Sequence, residues 1–240
     1  FIAWVSIAGL WRYYTFGFYS DGFLYWSALR NFSHFGIPYS GPVMENLLGN
    51  HAYVTLFLFS PFVRIFDTPL VLLTTSVFCY ILSAILAYKI SNYLYPNFRR
   101  FSLAITLMVA IFPQALDGIF SQQYMFQPDI LAVPLCFSIL YFAISCRWSY
   151  YFMCTTLLCL TKEDLIFFGF IWALICLVYS YQRNCLSKGA LNNLVLRLVA
   201  VVLISGIFVY LIMSHYGKLN LHSHVSVSYT HLRAHETRED

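Results

Sequence analysis

Hydrophobic positions run through this chain in long blocks, and polar ones collect in a few intervals between them. Residues 70–88, 130–144 and 194–213 carry almost no charge, and about 20 residues of that kind cross a bilayer as a helix. Residues 1–10 read as the end of an earlier span, anchored at the interface by Trp11, Arg12, Tyr13 and Tyr14. Trp and Tyr favour that level because their rings join an apolar body to a polar edge. The long interval 19–51 opens with Ser20-Asp21-Gly22, passes a Gly/Pro/Ser-rich turn over 36–42, and closes on Glu45, Asn46, Asn50 and His51. Within it Phe23, Trp26, Leu29 and Phe32 recur at near-helical spacing. That spacing predicts a short amphipathic helix lying on the membrane surface rather than crossing it.

The rest of the chain alternates in the same way. Residues 53–66 are apolar but short, and Ser60-Pro61 and Arg64 interrupt them. Asp67-Thr68-Pro69 is a turn that places Pro just inside the next helix. A second polar interval covers 114–129. Residues 149–160 and 165–181 are two apolar pieces hinged at Thr161-Lys162-Glu163-Asp164, too long together for one crossing and rather short for two. The basic intervals 89–100 and 182–193 belong on the cytoplasmic side by the positive-inside rule, which puts the long loop outside. If 53–66 and 70–88 both cross, however, the loop and the first basic interval share a side. No internal repeat of fixed period is present.

Composition changes this picture only by making it firmer. Hydrophobic residues are 60% of the chain, aromatics 20%, and charged residues 10%. Soluble domains carry roughly a quarter charged residues, so the expected architecture is all-α, a polytopic transmembrane helical bundle. Sustained period-two alternation, which an outer-membrane barrel requires, is missing. The net charge of +4 is spread out, whereas a nucleic-acid partner needs a concentrated basic patch; the expected partner is the lipid bilayer. The cysteines sit mostly within apolar segments and form neither a CxxC pair nor a Cys/His ligand spacing, so they read as small buried hydrophobes. Phe1 already lies inside an apolar run, and a bundle truncated at both ends is expected. Residues 227–237 resemble the in-frame translation of a sequencing-library transposase adaptor. On that resemblance the multi-pass domain is 1–226, with its first long loop at 12–52, and 227–240 is a non-native tail.

Four places could carry chemistry, and each has a plainer reading. Asp21 stands at the mouth of the long loop, where Ser20 or Asp21 could equally cap the surface helix. His51 follows Asn50 where the chain re-enters the membrane, a common place for a hydrogen-bonded structural histidine. Asp129, in Phe126-Gln127-Pro128-Asp129, could be an N-terminal charge facing a helix dipole. Lys162-Glu163-Asp164 places three ionisable groups between apolar flanks, which is expensive in lipid without a partner or a polar cavity. An internal ion pair or a surface loop would satisfy that requirement as well as a ligand would.

Taken in order, these positions resemble a family. Asp21-Gly22, Trp26, Asn50-His51, Ser60-Pro61, the aromatic-X-Pro-acid motif 126–129 and Lys162-Glu163-Asp164 look like the bacterial predicted membrane proteins of domain of unknown function 2079. The resemblance covers about residues 19–181. That family is in turn similar to membrane glycosyltransferases of the GT-C type, such as protein mannosyltransferases. The resemblance implies a GT-C-like bundle in a bacterial inner membrane and a polyprenyl-phosphate sugar as donor, the lipid-linked partner. It implies an acidic base in the first external loop, here Asp21. Lys162, or Arg12 as a second candidate, would meet the departing phosphate, and His51, Asp129 and Glu163 complete the expected substrate-binding set. The family more often has His and Glu where Gln127 and Asp129 stand, and Asp-His where Asn50-His51 stands. A divalent metal is therefore left open as a cofactor, with no ligands assigned. Two other classes stay in view. One is a transporter with a broken helix at 161–164, and the other is a scaffold whose charges only pair with one another.

Overall fold

The computed structural model describes residues 7, 20–40, 45–111, 126–183 and 186–236, with the backbone alone for 20, 21, 45, 111 and 218–236. The interfacial anchor with Arg12, and most of the polar interval 114–129, lie outside the described residues. The architecture is all-α apart from one minimal hairpin.

A helix forms where the 23–32 spacing predicts one, as α1 (Ser20–Phe35). It ends at Gly36, whose φ of 71 takes the left-handed conformation that glycine adopts at a helix C-terminus, with its N–H on the Phe32 carbonyl. Strands β1 (Tyr39–Ser40) and β2 (Glu45–Asn46) pair antiparallel and fold the loop back. The Asn31 side chain donates to the Tyr39 carbonyl and Ser40 Oγ donates to the Leu24 carbonyl, which fastens this hairpin to α1. Asn46 then caps the single turn α2 (Leu47–Asn50) by accepting from the Leu48 N–H.

The segment after His51 is a 3-10 helix, Val54–Phe59, running into α3 (Ser60–Phe66). At rises of about 2.0 and 1.5 Å per residue the two reach roughly 22 Å, short of the roughly 30 Å hydrocarbon core. The segment leaves the His51–Glu163 contact and ends at Asp67 beside α1, so both its ends stay at one end of the bundle and the sidedness conflict does not arise. Asp67 closes α3 in the left-handed region with φ 40, and its carboxylate takes both ends of the Arg30 guanidinium from α1, at 2.6 and 3.0 Å. Hydrogen bonding to Arg30 holds the Asp67 carboxyl below its ordinary value.

Among the described residues three helices are long and apolar enough to cross a membrane: α4 (Leu70–Leu94), α8 (Leu165–Gln182) and the Lys188–Gly217 part of α9 (Lys188–Glu236). Between α4 and α8 come α5 (Arg99–Ile111), the 3-10 turn Pro128–Leu131, α6 (Ala132–Ile144) and α7 (Trp148–Cys159). A short turn sends α5 back along α4, and α6, α7, α8 and α9 pack on one another around Ile139, Ala143, Tyr151, Leu158, Ala173, Leu177 and Leu198. The pieces 149–160 and 165–181 are two antiparallel helices rather than one broken crossing. Tyr151 donates its hydroxyl to the Ala173 carbonyl, while Gly169 meets Leu158 and Cys159. Trp172 Nε1 donates to the Cys136 carbonyl. In a medium without water such internal partners are the only ones available. Cys79, Cys154, Cys159 and Cys176 are buried, as small hydrophobes would be, whereas Cys136 is half-buried and Cys146, in the turn after α6, is exposed against that expectation.

This alternation sorts the connections. One end of the bundle holds α1, the hairpin, Asp67, Phe126–Asp129 and Thr161–Asp164. The other holds the connections 95–98 and 145–147, the end of α8 and the start of α9. Along α9, Gly217 comes up to the Gly49 carbonyl at the first end, so α9 joins the two ends.

Candidate functional site

Three segments meet at the first end of the bundle. The extended stretch His51–Tyr53 lies against the turn between α7 and α8. The Thr55 N–H donates to the Leu160 carbonyl at 3.1 Å, and Thr55 Oγ1 donates to Thr161 Oγ1 at 3.1 Å. Residues more than a hundred positions apart are thereby locked at backbone level. The third segment arrives with Phe126, fully buried beside Tyr25, Leu29, Tyr53, Leu56 and Leu72. It delivers Asp129 at the start of the 3-10 turn.

Glu163 is fully engaged. His51 Nδ1 lies 2.7 Å from Oε1, and the Ala52 N–H donates to Oε2 at 2.9 Å. A carboxylate only accepts, so Nδ1 is the protonated ring nitrogen there. Burial works against the charge on Glu163, but these bonds outweigh it and hold the carboxyl below its ordinary value.

Lys162 is held loosely. Its Nζ is 3.4 Å from Asp129 Oδ2 and 3.9 Å from Asp164 Oδ2, whereas a tight charge-assisted bond is about 2.7–2.9 Å. An ammonium with three donors in such contacts can turn to another acceptor. Asp129 is the incompletely used carboxylate, because Oδ1 is buried with no hydrogen-bond partner. A buried acceptor left unpaired costs about 1–3 kcal/mol, so a donor brought to that atom would be favoured. Asp164 is largely exposed, at 76%. Formally the cluster sets three carboxylates against one ammonium.

Tyr53 did not stand out in the sequence, yet it floors this site. It is buried, touches the His51 ring at 5.3 Å and meets Tyr25 edge-on at 5.4 Å. Burial, then the hydrogen bond with Tyr25, pushes its phenol above the ordinary range, and nearby Asp129 and Glu163 add to this. The available signal was its spacing, since His51 and Tyr53 alternate along an extended stretch and share one side.

Of the residues expected to act, His51, Asp129, Lys162 and Glu163 are therefore brought together. Asp21 lies in the first turn of α1, one turn ahead of Tyr25, and its side chain lies outside the described atoms, as does that of Glu45. Arg12 lies outside the described residues. Among the described residues no group of three or more His, Cys, Asp or Glu is arranged to hold a metal ion. Glu163 and His51 are engaged with each other, and the remaining described carboxylates do not gather with them into a metal-ligand set.

A family model described as a predicted membrane protein matches residues 14–234. No curated protein and no solved structure matches the chain.

Proposed function

The chain belongs to the family of predicted membrane proteins DUF2079, and from that premise we propose that it is a membrane glycosyltransferase of the GT-C type. It moves a sugar from a polyprenyl-phosphate donor to an acceptor hydroxyl. The reading is supported above all by the meeting of His51, Asp129 and Lys162-Glu163 at one end of a helical bundle, beneath the loop that carries Asp21. The end with the basic connections is the cytoplasmic one by the positive-inside rule, so transfer takes place at the opposite face of a bacterial inner membrane.

In this mechanism Asp21 accepts the proton of the acceptor hydroxyl as its oxygen bonds to the anomeric carbon. The bond from that carbon to the phosphate oxygen breaks, and polyprenyl phosphate leaves with the electron pair. Lys162 turns from its long contacts with Asp129 and Asp164 to the departing phosphate, where a charge-assisted bond is stronger. Asp129 Oδ1, unpartnered in the resting site, accepts from a substrate hydroxyl. Glu163 and His51 hold the segment 51–53 against the α7–α8 turn. The lipid tail lies between helices, which is why this chemistry is placed in a membrane bundle.

The test is sugar transfer by the full-length protein carrying Asp21→Asn. A loss of about 10²–10⁴-fold, the usual worth of a general base, is expected at unchanged expression. Transfer at the wild-type rate sinks Asp21 as the base. One observation favours a second reading, a scaffold. The charges do pair among themselves, His51 with Glu163 and Lys162 with Asp129. Full activity in a Lys162, Glu163 double substitution supports that reading instead.

A further inference from the structure

The end of the bundle away from the site has a chemistry of its own. The junctions between α4 and α5, α6 and α7, and α8 and α9, remote in sequence, bring Lys89, Arg99, Arg100, Arg147, Arg183 and Lys188 to one level. Every described Asp and Glu, by contrast, lies at the site end or, for Glu236, at the far end of α9. A folded surface that collects cations and excludes carboxylates faces something anionic.

Two further observations say what that is. Tyr93, Tyr95, Tyr150 and Tyr181 are exposed at the same level, as aromatic rings are at the headgroup boundary. Two of the cations lie over tyrosine rings of this belt, Lys89 at 5.9 Å from the Tyr141 centroid and Arg183 at 5.5 Å from that of Tyr179. The basic level thus coincides with the edge of the hydrocarbon core. Arg99 and Arg100 open α5 and Lys188 opens α9, where the positive end of the helix dipole disfavours a cation. An anionic surface at that level reverses the penalty. Arg197, exposed on α9 just inside the apolar stretch, belongs to the same set.

We infer that this end of the protein is a docking surface for anionic phospholipid headgroups of the leaflet it faces. The inference stands independently of the glycosyltransferase reading, since it uses none of the site residues. Each Lys or Arg near such a surface contributes attraction that amounts to roughly a fivefold preference.

The experiment places the full-length protein in nanodiscs of equal phosphatidylglycerol and phosphatidylcholine and quantifies the lipid retained on gentle extraction by native mass spectrometry. Phosphatidylglycerol is expected to be enriched severalfold, with the enrichment falling as salt rises from about 0.05 to about 0.5 M. Arg99→Gln, Arg100→Gln and Arg147→Gln together are expected to remove most of it, while Arg30→Gln with Arg64→Gln, at the other end, leaves it intact. If the triple variant fails to insert, the salt series on the wild-type protein decides. Equal retention of the two lipids, enrichment indifferent to salt, or an equal loss in the Arg30, Arg64 control overturns the inference.

Discussion

Glu163 carries more of the site's cohesion than any other described carboxylate. Its oxygens satisfy His51 and the Ala52 N–H, so Glu163→Ala strands a backbone donor in a partly buried place. The expected cost is about 1–3 kcal/mol, read as a lower unfolding midpoint in detergent. The sign of its pH dependence follows from the lowered pKa. A carboxyl held below its unfolded value adds stability while ionised, and the contribution is lost as pH falls through the folded value. Wild-type stability should therefore fall as the solution is acidified below the ordinary glutamate range near 4.5. In Glu163→Ala that part of the dependence should vanish, and acid melting curves for the two proteins check it. Asp129 differs in kind. Its unpartnered Oδ1 is an acceptor in waiting, so Asp129→Asn should weaken acceptor binding more than it alters the melting midpoint. An unchanged KM for the acceptor, with intact folding, contradicts that role.

At the scale of elements, α7 and α8 make the turn that presents Lys162-Glu163, and Gly169 of α8 packs against Leu158 and Cys159 of α7. A Cβ there would stand 3.3 Å from Leu158 Cδ2 and 3.5 Å from Cys159 Sγ. Gly169→Val should overpack the hairpin by about 1–3 kcal/mol and lower sugar transfer through displacement of the turn. Gly206→Val, where a Cβ meets nothing within 4 Å, should leave both unchanged. Thermal melts of the pair distinguish a packing constraint from a general dislike of valine. The long spans were legible in the sequence because absence of charge over 70–88 or 194–213 is a local property. So was α1, from the spacing of Leu29 with Trp26 and Phe32. The hairpin at Tyr39–Ser40 was not, since two-residue strands leave no periodic trace and depend on Asn31 and Ser40 bonds made across the fold. The status of 54–66 was also hidden, because a 3-10 start and an α finish differ in rise and not in hydrophobicity. The candidate site residues stood out as polar breaks in apolar runs. Their partners did not, because the His51–Glu163 bond spans 112 positions, and Tyr53 looked like one more aromatic among many.

For the whole molecule, the segregation of charge and the lengths of the helices give a single frame. The 18 residues of α8 rise about 27 Å, close to the hydrocarbon thickness. With Arg183 at one boundary, Lys162-Glu163 stands at the other. The central claim is that this far boundary is where transfer occurs, on the side away from the basic connections. Its most direct test is transfer activity in sealed, right-side-out vesicles bearing the full-length protein with Asn50→Cys, treated from outside with a membrane-impermeant thiol reagent. Asn50 is exposed beside His51, so modification there should block transfer, while the wild-type protein and Ser187→Cys, at the basic end, keep theirs. Undiminished transfer after complete modification of Asn50→Cys, or a block obtained only when the reagent reaches the cytoplasmic side, would contradict the account.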